Sequence, residues 1–100
     1  MTNVGRLVDY VDEIRAEECL ARVICELSRD GRVHGENGSK FAKCLLKFRQ
    51  SKHPKVKQYV HAESLGTRIR NYEQCKIHYH RCNYSTTDII TVGNKLLSIE

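Results

Sequence analysis

The sequence predicts an all-α fold, a small bundle of five or six short helices stapled by disulfides. Three observations point there. Apolar residues recur at steps of three and four along most of the chain, the spacing of one helix face rather than of a strand. Loop-forming residues gather at a few boundaries, the clearest being Asp30, Gly31, Gly35 and Gly38. Five cysteines in 100 residues are many, and a chain this short buries a modest fraction of its surface, so cross-links would stabilise it.

Composition narrows the class further. With 40% apolar and 29% charged residues the chain is globular rather than disordered. Its length fits one domain, residues 1–100. Within it, residues 1–15 read as a candidate dimerising helix and residues 16–100 as the cysteine-framed bundle. No apolar run approaches the roughly 20 residues that span a bilayer. Tryptophan is absent and phenylalanine occurs twice, so the core is expected to rest on Val, Ile, Leu and Tyr. The net charge of +5 is unevenly spread. Residues 1–30 hold four basic side chains against seven acids, whereas residues 31–82 hold twelve against three. Such a division suits self-association, or attraction of an anionic partner to the middle.

The helices follow in order. Thr2 or Asn3 caps the first, whose stripe is Val4, Leu7, Val8, Val11 and Ile14. After Arg15 the stripe moves to nearly the opposite face, through Ala16, Cys19, Leu20, Val23, Ile24 and Leu27, which predicts a kink near Ala16–Glu18. The glycine-rich loop runs to Gly38, and Ser39 caps the next helix, carrying Phe41, Cys44, Leu45 and Phe48. That helix ends near Lys52, because a residue before proline avoids helical backbone angles. Pro54 suits the first turn of another helix, with Val56, Tyr59, Val60 and Ala62 inward and Gly66 as its stop. Thr67 caps a fifth segment with Ile69, Tyr72, Cys75, Tyr79 and Cys82 on one side. Ser85, with Asp88 reaching back, caps a last segment. Its Tyr84, Thr86, Thr87 and Thr91 leave a strand open there.

Cys19 and Cys25 lie six residues apart on one expected helix, and Cys75 and Cys82 seven apart on another. At about 1.5 Å per residue the two spacings span similar lengths. Antiparallel helices would pair them as Cys19–Cys82 and Cys25–Cys75, parallel helices as Cys19–Cys75 and Cys25–Cys82. A bridge within either pair would exceed the roughly 7 Å Cα separation that a disulfide tolerates. Cys19 and Cys25 are rotated about 120° from each other on a regular helix, so the nested ladder requires a distortion somewhere. Free buried thiols are the alternative. Cys44 is odd in every scheme: a small core residue, or an interchain disulfide between two copies.

Cys19-Leu20-Ala21-Arg22-Val23-Ile24-Cys25-Glu26 resembles the CLxRxxCE signature of an arthropod group, the DM four/twelve domain family. The later half is similar too: Tyr59 and Ala62 precede Gly66, followed by Cys75, Tyr79, Cys82, Ser85 and Asp88. The resemblance covers roughly residues 17–90, so the amino-terminal segment lies outside it. It implies a short secreted protein with a four-cysteine frame and no assigned biochemical activity. Cys44 departs from that frame.

Other constellations bear on function. Lys40, Lys43, Lys47, Arg49, Lys52, Lys55 and Lys57 form an acid-free anion-binding strip, with Lys40, Lys43 and Lys47 on one face. Few aromatics are free to stack on bases there, so nucleic acid is a weaker partner than an acidic protein or polysaccharide. Val4, Leu7, Val11 and Ile14 occupy a and d positions over two heptads, too few for a stable isolated coiled coil; the stripe is a candidate dimer seam or packs on the chain's own bundle. Cys75, His78 and Cys82 share a face and could hold zinc with His34, His53 or His61, but the spacing matches no established motif. Arg22 and Glu26, four apart, form a local pair worth a few tenths of a kcal/mol. Asn37 and Asn83 both open glycosylation acceptor triplets. A saposin-like lipid-binding bundle would need six cysteines in another arrangement. No catalytic triad, paired-carboxylate motif or phosphate-binding loop stands out, so no enzyme, metal or cofactor is expected.

The first residues lack the apolar stretch of a signal peptide, so a secreted protein implies that one has been removed. The expectation is therefore a secreted, non-enzymatic interaction or structural module of an extracellular material or fluid, self-associating as a homodimer. The alternative is an intracellular basic adaptor with reduced cysteines that binds nucleic acid or zinc.

Overall fold

The computed structural model describes residues 3–97, so the Thr2 cap lies outside the described residues. The elements are α1 (Asn3–Glu13), α2 (Glu17–Arg29), α3 (Gly35–Ala42), α4 (Leu45–Gln50), α5 (Lys57–Arg68), α6 (Glu73–His78) and α7 (Thr86–Leu97). Only Lys43 and Cys44 separate α3 from α4, where the amides of Cys44 and Lys47 donate three residues back at 2.9 and 3.0 Å. The two are one helix broken by a tight turn, and the bundle then has six helices. Among the described residues there is no strand, and residues 86–97 are helical.

α2 is the axis of the bundle. It packs against α1, α3, α5, α6 and α7, and Cys19, Leu20, Ala21, Val23, Ile24, Cys25, Glu26 and Leu27 are all buried. The break before it falls at Ile14–Ala16, where Arg15 takes a left-handed φ of 58°. An L-residue resists that conformation by about 1–2 kcal/mol. The turn separates two apolar stripes that a continuous helix would have pointed to opposite sides, so α1 buries Val4, Leu7, Val8 and Val11 in the same core as α2.

Glycine placement explains three departures from the sequence reading. α3 begins at Gly35, whose φ is +71°, and not at a Ser39 cap. Ser39 instead donates its hydroxyl to the Gly31 carbonyl at 2.9 Å. Gly38 lies inside α3, where a Cβ would fall 2.6 Å from His34 Cβ and 3.2 Å from Leu27 of α2. Gly66 does not stop α5; the helix runs on through Thr67 to Arg68. Gly66 is the point where α5 meets α2: a Cβ would fall on the Cys25 carbonyl oxygen and 2.8 Å from Ser28 Cβ. A smooth helical pattern cannot distinguish a glycine that ends a helix from one that lets another backbone approach. The Ser85 half of the expected cap forms, with the Thr87 amide donating to Ser85 Oγ at 3.1 Å.

The aromatic contribution to the core exceeds what the composition suggests. Phe41, Phe48 and Tyr59 are 0, 2 and 0% exposed and run as a chain of ring contacts at 6.3 and 6.0 Å. The Tyr59 hydroxyl has no hydrogen-bond partner. Burial, and next the nearby charges of Glu17 and Asp12, push its pKa well above the ordinary tyrosine value.

Two predictions follow from this packing. Gly66→Ala lowers stability by about 1–3 kcal/mol in urea denaturation, because neither backbone can retreat from the added methyl, whereas Gly31→Ala, 3.9 Å from its nearest neighbour, has a much smaller effect. A neutral Tyr59 stabilises the fold fully below its unfolded pKa of about 10, and that contribution is lost as pH rises through the higher folded value. Absorbance titration near 295 nm, run with circular dichroism, should therefore show the last phenolate forming together with loss of helix.

Candidate interaction surfaces around the disulfide frame

The cysteines pair as a nested ladder, Cys19–Cys82 with Cα atoms 4.7 Å apart and Cys25–Cys75 with Cα atoms 5.8 Å apart. The distortion that this ladder requires lies at the end of α6. Residues 67–82 are not one helix. Asn71 Oδ1 accepts from the Glu73 amide at 3.0 Å at the entry to α6, and the helix stops at His78. Cys75 stays on the helix and faces Cys25, while Cys82 leaves it and reaches the different side of α2 where Cys19 points.

The segment beyond α6 is tied down at several points. The Arg81 amide donates to Glu18 Oε1 at 3.1 Å, and Tyr84 Oη donates to the Ile14 carbonyl at 3.2 Å. At the other end of α2, Arg29 donates from Nε and Nη2 to the Arg70 carbonyl at 3.0 and 2.9 Å. Each of these contacts crosses more than 40 residues of sequence.

Glu26 is the one charged side chain in the core of the described residues, 1% exposed. Its Oε2 accepts from Arg22 Nε at 2.9 Å, and its Oε1 lies 2.5 Å from His34 Nε2. The Arg22–Glu26 pair read from the sequence is thus half of a buried carboxylate clamp joining α2 to the turn before α3. His34 was the unread half. The available signal was the place of Glu26 among Val23, Ile24, Cys25 and Leu27 on an inward face, where an acid needs partners.

The dimer seam is corrected. Val4, Leu7 and Val11 are each 0% exposed within one chain, and Ile14 packs partly buried against the same core. These side chains are consumed by the bundle and offer no surface to a second copy. Cys44 has no disulfide partner within the chain; it is half-buried, caps α4 and packs against the core. The zinc alternative loses its thiolates, because Cys75 and Cys82 are joined to other sulfurs. Of its further histidines, His34 is held by Glu26, and His53 lies 2.8 Å from Asp9 Oδ1.

All seven residues of the basic strip are exposed. Arg49 pairs with Glu63 at 3.2 Å and Lys55 with Asp12, whose hydrogen bond holds the Lys55 ammonium above its ordinary pKa. Lys40, Lys43, Lys47, Lys52 and Lys57 have no acidic partner among the described residues. Arg49, Lys52 and Lys57 converge with His53 on an open concavity of about 380 Å³ between the end of α4 and the start of α5. Asn83 lies in the exposed irregular segment after Cys82, whereas Asn37 lies in the first turn of α3, its carbonyl accepting from Asn94 Nδ2 at 2.9 Å.

Removing the Glu26 carboxylate should leave a guanidinium and an imidazole facing an empty site in the core. Glu26→Ala is expected to lower stability by about 3 kcal/mol in urea denaturation, and Glu73→Ala, on the exposed face of α6, to change it by no more than about 0.5 kcal/mol.

No curated protein and no solved structure matches the chain. The DM4/DM12 family profile matches residues 4–82, a span that begins with the buried stripe of α1 and ends at the outer disulfide. The resemblance read from the sequence left α1 out, whereas the match takes it in, consistent with α1 packing into the core rather than serving as an appendage. The chain belongs to the DM4/DM12 family.

Proposed function

We propose that this DM4/DM12 protein is a secreted, non-enzymatic interaction module that binds an acidic polysaccharide through the strip from Lys40 to Lys57. The observation that carries the reading is the imbalance of charge on that strip. Five exposed lysines stand there without an acidic partner among the described residues, and two of them, Lys52 and Lys57, line a concavity whose other basic groups, Arg49 and His53, are paired with Glu63 and Asp9. Ordinary surfaces intersperse the two signs, and a one-sign surface attracts polyanions. The aromatic side chains in the same stretch are buried, so bases have no platform to stack on, which favours a polysaccharide over single-stranded nucleic acid.

Two disulfides closing separations of 63 and 50 residues support an oxidising compartment. The α1 seam is spent inside the chain, and the module is proposed to act as a monomer.

Retention on immobilised heparin as a function of salt tests this. The protein should elute well above physiological ionic strength, with a log–log salt dependence. Lys40→Glu/Lys43→Glu/Lys47→Glu should elute at much lower salt, with the slope reduced by about one unit per lysine that contacts the polymer. Unchanged retention of the variant would overturn the reading, as would single-stranded DNA displacing heparin at equal concentration.

A further inference from the structure

A second surface has different chemistry. An open groove of about 540 Å³ is lined by Arg22, Lys76, Ile77, Tyr79, His80 and Cys82. Its volume is in the range of about 300–1,000 Å³ common for small-ligand sites. The Cys19–Cys82 disulfide builds it: Arg22 stands one turn beyond Cys19 on α2, and Tyr79 and His80 precede Cys82 on the segment that the disulfide pins to that helix.

The lining divides into cationic and apolar parts, with no carboxylate among them. Arg22 is held through Nε by the buried Glu26 carboxylate, so its guanidinium is oriented before any ligand arrives. Lys76 and His80 are exposed and have no acidic partner among the described residues. Ile77, at 74% exposed, is the most exposed large hydrophobic side chain of the described residues, and Tyr79 and the disulfide sulfur add apolar surface beside it. An isoleucine so open to water, next to the Lys76 ammonium and the Glu26-oriented Arg22 guanidinium, gains by covering with a ligand that is apolar at one end and anionic at the other.

We propose that this groove binds a single-chain aliphatic carboxylate, its headgroup against Arg22 and Lys76 and its chain over Ile77 and Tyr79. The cationic lining selects the carboxylate over a neutral amphiphile of equal length. The size of the groove suits the head and first carbons of one free amphiphile.

The test is titration of the intact, oxidised protein with decanoate below its micellar range, followed by calorimetry and by amide chemical shifts. Saturable binding is expected, with the largest shifts at Lys76, Ile77 and Cys82. Ile77→Asp and Lys76→Glu are solvent-facing changes that leave the fold intact by circular dichroism, and each should weaken binding tenfold or more. Lys40→Glu, on the other surface, should bind as the parent does, and decanol should bind at least tenfold more weakly than decanoate. Absence of saturable binding, equal affinity for decanol, or affinity unchanged in both groove variants would overturn the proposal. So would binding to anionic phospholipid vesicles without binding to free decanoate.

Discussion

The constraint on which the rest depends is that one helix is held from two sides by sulfur. α2 carries Cys19 and Cys25 on faces that differ by about a third of a turn, and both are covalently joined to the last third of the chain. In a loop-entropy view the first such closure contributes on the order of 4 kcal/mol by restricting the unfolded chain. In a domain of this size that is comparable with the whole net stability. The frame also makes workable an α2 that is buried over most of its circumference, since such a helix is stable only when other elements surround it. α5 meets it at Gly66, α3 at Gly38 and α6 at Cys75.

Covering α2 consumes most of what the chain has to bury. α1 contributes its whole stripe, and Phe41, Phe48 and Tyr59 go inside with it. What remains outside is charge and a few isolated apolar side chains. The basic stretch of residues 40–57 is then a surface of lysines over a buried aromatic core, and the groove beside Cys82 is a by-product of the outer disulfide drawing an irregular segment onto α2. Both proposed surfaces are therefore consequences of how the core is closed.

Much of this was legible in the residues. The helical class, the break between α1 and α2, the Ser85 cap and the four framework cysteines all follow from spacing and capping chemistry. The ladder was legible as one of two pairings, because its choice rests on where α6 ends, and the apolar period through Cys82 concealed that end. Gly38 and Gly66 were misread as boundaries, since their role depends on the Leu27 and Cys25 surfaces opposite them, which are distant in sequence. The α1 stripe was read as a dimer seam because an apolar heptad looks the same whether it meets its own chain or another. His34 was missed for a similar reason: nothing local marks it as the partner of Glu26.

The fold rests on the pairing of the cysteines, which proteolysis without reduction followed by mass spectrometry reads out. The fold described here predicts cross-linked peptides joining Cys19 to Cys82 and Cys25 to Cys75, with Cys44 alone taking up an alkylating reagent. Peptides joining Cys19 to Cys75 and Cys25 to Cys82, or five alkylated thiols in protein taken from an oxidising compartment, would contradict it.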